Sequence, residues 1–392
     1  MTFDQVIAQE AVKEQLIHML QHNRLSHALL FLGKEGSGAL PLALAFSAAV
    51  IAANQKAKPA AAAGLFGEPE PQPAISHGEK LAQQYIHPDV HYSYPVVPRK
   101  PGDKPLSTDY SAEWREFIQQ FPYGSAYDWL QFIGAENKQG NITAHECNDI
   151  IRKLNLKSFE SGYKILLMWL PEYLGNEGNK LLKMIEEPPA DTLFILVAEN
   201  ESLILPTILS RVQLVKIPPL TNEEVAQALQ DRAHLEPAQA RQVAALSEGN
   251  YREALQLLQH AESDWLAIAR EWFNALLRTG PVAQVKWIDE MAKIGREKQK
   301  QFLKYTTHLL EQAIRLQAMG SAAHLLAMPE NEQDFAQRLN KLCTLAQQQA
   351  IIGELDKASY YIERNANAKM LFHALSIKLY HIIKDNSLIL AN

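Results

Sequence analysis

The chain has 392 residues, 47% hydrophobic and 21% charged, and its 38 Lys and Arg against 44 Asp and Glu leave a formal net charge of −6. That length accommodates two or three domains, and the composition excludes a disordered chain. The acidic balance argues against autonomous binding to nucleic-acid phosphates, which needs concentrated positive charge; no apolar stretch approaches the roughly 20 residues of a membrane span.

Met1-Thr2-Phe3-Asp4-Gln5 lacks the basic-then-apolar order of a secretory leader, so a cytoplasmic location is expected. Within residues 4–22, Val6, Ile7, Val12, Leu16, Ile17 and Leu20 recur on roughly one side of a 3.6-residue period and predict an amphipathic helix after a short entry segment. His27 to Leu32 is a short apolar run that predicts a buried strand. It ends at Gly33-Lys34-Glu35-Gly36-Ser37-Gly38, and the alanine- and leucine-rich stretch from Ala39 to Ala53 predicts a helix. Strand, glycine-rich turn and helix in that order lay out a phosphate-binding loop, because glycines let backbone N–H groups converge at a helix N-terminus. Residues 55–76, rich in Ala and Pro, read as a solvated linker, and ordered chain resumes at His87-Pro88-Asp89-Val90-His91-Tyr92. Residues 95–140 place Trp114, Phe117, Tyr127, Trp129 and Phe132 among several prolines, which predicts a partly packed insertion. Thr143 and Glu146 have the spacing of a capping box, so a helix starts near Ala144 and continues through Ile150, Ile151 and Leu154.

Lys164 to Leu170 and Thr192 to Ala198 are continuous apolar strands of the kind buried on both faces, and Gln213 to Ile217 is a shorter one. Helices over residues 176–187 and 205–210 alternate with them. The pattern predicts a doubly wound parallel α/β domain over residues 1–217, with ligands at the strand C-termini. No strand pattern recurs after Pro218. Thr221 and Glu224 form a second capping box, and breaks at Gly249, Gly280 and Pro329 divide a helical remainder: a small lid over 218–262 and an all-α domain over 263–392. Cys147 and Cys343 lie far apart in helical segments, so neither a disulfide framework nor a four-thiolate zinc site is available.

A working nucleotide loop follows its second glycine with Lys and then Ser or Thr: the ammonium balances the phosphates and the hydroxyl ligates magnesium. Here Gly33 and Gly38 are in place, but Ala39 and Leu40 occupy those two positions. Such an ATPase also needs an acid at the end of a central strand. The run Ile165 to Leu170 has none, and Glu172 comes only after Pro171. Two separate lesions point to a chain that does not hydrolyse nucleotide; Glu172 as a displaced catalytic acid is the alternative.

Leu25 to Gly33, the run Asn179-Lys180-Leu181-Leu182-Lys183-Met184-Ile185-Glu186-Glu187-Pro188-Pro189, and Ile208-Leu209-Ser210-Arg211 together resemble the clamp-loader subunits of the AAA+ class. With the defective loop, the resemblance is strongest to the delta-prime family of bacterial DNA polymerase III, over about Phe3 to Gly249 and more loosely beyond. It implies an AAA+-like domain, a lid and a helical collar. It also implies one place in a five-subunit ring, beside the tau/gamma ATPase subunits and the delta subunit, that opens the sliding clamp and sets it on primer-template DNA. Ser210-Arg211-Val212 matches the family's Ser-Arg-Cys motif, whose arginine serves the ATP site of the neighbouring subunit; Val212 departs from the cysteine. Gly249-Asn250-Tyr251-Arg252-Glu253-Ala254-Leu255 resembles the lid motif, and with the phosphate site disabled Arg252 is expected to pack the lid against the first domain.

Lys180 and Lys183 read as the solvated side of a helix. Relatives carry a four-cysteine zinc module where Gln55 to Ile86 has no cysteine, and His77, His87 and His91, at a spacing that fits no zinc site, are expected to be exposed loop residues. No structural zinc and no cofactor are expected. Helical faces beyond Trp265, with Trp272, Phe273, Leu276, Phe302, Tyr305, Leu309 and Ile314, are expected to supply a collar interface as well as the domain's own core. The competing reading is a divergent ATPase, either a clamp-loader motor subunit or a helicase-loader relative. A stand-alone DNA-binding protein is disfavoured by net charge.

Overall fold

The computed structural model describes residues 1–22, 24–56, 77–135, 138–159, 161–259, 265–319, 329–363 and 366–386, so the expected linker lies outside the described residues except for its first two. The chain forms two compact units, residues 1–255 and 256–392.

In the first unit, helix α1 (Glu10–Gln21) is followed by β1 (Ala28–Leu32), α2 (Ala39–Lys56), α3 (His77–Gln83) and β2 (Val90–Ser93). The segment expected as an insertion contains α4 (Ser111–Gln120) and α5 (Ala126–Phe132). Next come α6 (Ala144–Leu154), β3 (Lys164–Trp169), a 3-10 stretch over Pro171–Leu181, α7 (Leu182–Glu186), β4 (Thr192–Ala198), α8 (Pro206–Leu209) and β5 (Gln213–Lys216). Helices α9 (Asn222–Ala233), α10 (Pro237–Ser247) and α11 (Tyr251–Gln259) follow.

The strands form one parallel sheet in the order β2-β3-β4-β1-β5. In β1, Leu30 sits opposite Leu196 of β4 and Leu214 of β5. Successive side chains alternate between two apolar layers. Leu29, Phe31, Ile165, Leu167, Ile195 and Val197 face Leu42, Phe46 and Val50 of α2. Ala28, Leu30, Leu166, Met168, Phe194 and Leu196 face Cys147, Ile150 and Leu154 of α6 together with Ile185 and Ile208. The doubly wound α/β domain therefore follows from strands that are apolar on both faces.

Three local expectations need correction. The first helix starts at Glu10, because Ala8 and Gln9 take positive φ of 46° and 63° and break the period. The helix expected over 176–187 is α-helical only in its second half: after the kink at Gly175 (φ 51°) the chain runs as a 3-10 helix to Leu181, and α7 follows from Leu182 to Glu186. Strand β2 was not expected, since Val90-His91-Tyr92-Ser93 is short and mixed; it pairs with β3 alone at the edge of the sheet.

The second unit contains α12 (Trp265–Asn274), a π-helical turn over Ala275–Thr279, α13 (Pro281–Met291), α14 (Arg296–Met319), α15 (Glu330–Leu342), α16 (Leu345–Glu363) and α17 (Ala368–Lys384). Trp272 and Trp287 stack with centroids 5.0 Å apart, and Phe302 and Phe372 pack around the pair. Trp272, Phe273, Leu276, Phe302, Tyr305 and Leu309, expected to serve an outer interface as well, are all buried in this core. The large apolar side chains left exposed include Met370, Ile377 and Tyr380, whose spacing of seven and three places them along one side of α17.

Candidate functional site

The first βα connection is a tight glycine-rich turn. Gly33 N–H donates to Ala198 O at the end of β4 (3.1 Å), and Gly36 and Gly38 take φ of 72° and 96°, which side chains rarely tolerate, before α2 begins. Its mouth, however, is filled by the protein itself. Pro122, Tyr123 and Gly124, just before α5, line the space together with Trp169 and Glu199, and the cavity that remains is about 20 Å³, roughly one water molecule. Tyr123 lies against Gly38: a Cβ added there would meet its ring at 3.3 Å. The tyrosine hydroxyl accepts from Ile7 N–H (2.8 Å), and its ring meets Tyr251 edge-on at 5.0 Å. Ala39 and Leu40 are buried in the apolar layer on that side of the sheet.

The start of α11 closes over the same loop. Tyr251 N–H donates to Gly36 O (3.3 Å), and a Cβ at Gly36 would lie 1.9 Å from Asn250 Oδ1, so only glycine fits. Arg252 is 6% exposed and holds two carboxylates. Its Nε and Nη2 donate to Asp128 of α5 at 2.5 and 2.7 Å, and its Nη1 donates to Glu35 of the loop at 2.8 Å. Asn250 Nδ2 also donates to Glu35 (3.1 Å), and Asp128 in turn accepts from Ser125 N–H, capping α5 (2.9 Å). Gln9 Nε2 bridges Ser37 O (3.1 Å) and Pro218 O (2.8 Å).

Glu172 lies past β3 and accepts from Glu199 N–H and Asn200 N–H at 2.6 and 2.8 Å, so it closes the end of β4; burial raises its pKa above the usual carboxylate value. Arg211 follows α8. Its Nε donates to Glu186 of α7 (3.0 Å), and its Nη1 donates to Thr207 O (2.9 Å) and Ser210 Oγ (3.2 Å). The side chain stays 32% exposed and does not line the loop cavity. Val212 packs at the edge of the apolar layer on the α6 side. Lys180 is exposed and paired with Glu177 (2.6 Å), and Lys183 is exposed.

Among the described residues, no three His, Cys, Asp or Glu side chains gather in a way that could hold a metal ion. The side chain of His77 lies outside the described residues. The other two histidines are not exposed loop residues. His87 is buried, with Nδ1 accepting from Asp89 N–H (3.1 Å). His91 sits on β2, and burial, assisted by nearby Lys153, lowers its pKa to about 4. Cys147 and Cys343 are free and buried, and burial pushes both thiols up to about 11.

Sequence reasoning placed the loop but missed Tyr123 and Asp128. Ser125-Ala126-Tyr127-Asp128 does carry a readable signal, a Ser-x-x-Asp capping box that the structure completes in both directions.

A family model described as "DNA polymerase III, delta subunit" matches residues 8–221. The chain is 25% identical over 254 residues to DNA polymerase III subunit delta' of Bacillus subtilis (strain 168), an alignment covering 65% of this chain and 60% of that one. It is 28% identical over 248 residues to subunit delta' of Pseudomonas aeruginosa, covering 62% and 58%. The alignments thus span only about 60% of these relatives' length. A solved DNA polymerase III gamma subunit-related protein of Thermotoga maritima superposes with a TM-score of 0.39 at 13% identity, covering 94% of this chain and 99% of that one. Because the family match takes in more than half of the chain, this protein belongs to the DNA polymerase III delta subunit family.

Proposed function

We propose that the chain is a non-hydrolysing structural subunit of a DNA polymerase III clamp loader, of the delta-prime kind. In this reading it helps to place the sliding clamp on primer-template DNA, in a ring with the tau/gamma ATPase subunits and the delta subunit. The observation that carries the reading is the state of the loop: Ala39 and Leu40 replace the groups that neutralise phosphate and ligate magnesium, and Tyr123 leaves a cavity of about 20 Å³. A triphosphate would find there neither the lysine that follows the second glycine of a working loop nor room. Glu172, the nearest carboxylate after β3, is engaged in closing β4.

Arg211 supplies the part of the chemistry the chain keeps. Its guanidinium is held by Glu186, Thr207 and Ser210 yet remains partly exposed, so it is oriented while still reachable. A γ-phosphate presented by a neighbouring subunit would compete with Glu186 for the same planar donors, and charge developing on the transferred phosphoryl group would favour the exchange.

Two measurements test the reading. Titration of the isolated chain with Mg·ATP should leave its melting temperature unchanged, since stabilisation requires binding to the folded form; a saturable rise would defeat the non-hydrolysing assignment. Arg211→Ala should leave the chain folded but lower ATP turnover by the reconstituted ring by about 10³-fold. Turnover equal to that of the unaltered ring would remove Arg211 from the mechanism.

A further inference from the structure

Arg252 is a buried cation whose donors are directed at two carboxylates from two other segments, Glu35 in the loop after β1 and Asp128 at the first turn of α5. The Asp128 contact is bidentate, the geometry with which a guanidinium also takes a phosphate. It lies beside a glycine-rich loop whose mouth Tyr123 has closed. Building on the reading of an empty, non-hydrolysing loop, we infer that Asp128 is an internal substitute for a phosphate ligand. Its carboxylate occupies Arg252 permanently and fastens the start of α11 to the loop without any nucleotide.

The surrounding contacts fit that role. Capping by Ser125 fixes the direction of the Asp128 carboxylate, so the anion is preorganised before Arg252 meets it. Glu35 takes the remaining arm of the guanidinium and is itself held by Asn250, the residue that packs on Gly36. An arrangement of this kind makes the closure of α11 over the loop a fixed property of the fold rather than a response to nucleotide.

Hydrogen exchange of the full chain tests the inference. In the unaltered protein, the amides of residues 33–38 and 250–255 should exchange slowly, at rates that do not differ between inorganic phosphate and chloride at equal ionic strength. Asp128→Ala should accelerate exchange there by about tenfold while leaving α14 and α16 unchanged. Added phosphate, but not chloride, should then restore the slow rate, and Arg252→Gln in the same background should abolish that rescue. Unchanged exchange in Asp128→Ala overturns the inference, as does accelerated exchange that phosphate leaves untouched, or phosphate protection of the unaltered chain. Should Asp128→Ala not fold, Asp128→Asn keeps an acceptor for the Ser125 cap. It should show the same acceleration, and its absence overturns the inference equally. Stabilisation of the unaltered chain by Mg·ATP is a separate result that strikes the proposed function instead.

Discussion

The side chains that decide this site act by exclusion as much as by contact. Tyr123 packs against the loop with its ring, and its hydroxyl accepts a hydrogen bond from Ile7 N–H. Tyr123→Phe keeps the ring but leaves that buried donor without its acceptor, so it should cost about 1–3 kcal/mol in denaturant unfolding without admitting nucleotide. His91 gives a prediction in pH. Burial lowers its pKa from 6.5 to about 4, so across that window the unfolded chain binds a proton that the folded chain refuses. Stability should therefore fall as pH drops from 6.5 to about 4, by an amount of order 2–3 kcal/mol from this residue. His91→Gln should flatten the unfolding profile over that range; an unaltered slope would assign the acid sensitivity to other groups. Both residues sit in segments with weak patterns, which is why sequence alone passes over Tyr123 and reads His91 as an exposed loop residue. The absence of a lysine and a hydroxyl at Ala39 and Leu40, by contrast, is a statement about two positions and needs no coordinates.

At the level of elements, the strands with unbroken apolar runs were legible, and so were helices announced by a cap. Thr143 caps α6 and Thr221 caps α9 where the spacing indicates, although Glu146 turns away from its reciprocal partner to accept from Ser107 N–H (2.8 Å). What escaped was tertiary in origin. Edge strand β2 gains its conformation from pairing with β3, and the segment before α5 gains its meaning from lying over a loop some 85 residues earlier in the chain. The aromatics of 95–140 did indicate packing, and Trp114, Phe117 and Trp129 form a buried cluster there. Because Pro122, Tyr123 and Gly124 occupy the space over the loop, restoring the missing chemistry should not restore binding. Ala39→Lys combined with Leu40→Thr should show no thermal shift with Mg·ATP and should melt below the parent, since both positions are buried. Nucleotide stabilisation of the double variant would show that chemistry alone, not space, is limiting.

On the scale of the whole molecule, the division at residue 255 separates a sheet-containing unit from a helical one that has its own aromatic core. No helix of the described residues is long and apolar enough to cross a membrane. The proposed ring membership needs an outward-facing apolar surface on the helical unit, and α17 offers Met370, Ile377 and Tyr380, at 71%, 56% and 37% exposure. Ile377→Asp should change the stability of the isolated chain by no more than about 0.5 kcal/mol, since an exposed site has little packing to lose. It should weaken recovery of the chain with its ring partners in size-exclusion chromatography; equal recovery would move the assembly surface elsewhere.

The tie between Glu172 and the two backbone N–H groups after β4 has a historical consequence. A lineage carrying this arrangement would have to free that carboxylate, regain two side chains in α2 and displace an aromatic ring before any single change conferred an advantage. On that reading each step alone would loosen the structure without conferring turnover, so the route to an active motor would be a valley without stepping stones. Under the proposed non-hydrolysing role, absence of hydrolysis would behave as a ratchet, and laboratory selection for ATP turnover by this chain should enrich changes at several of these places together or none.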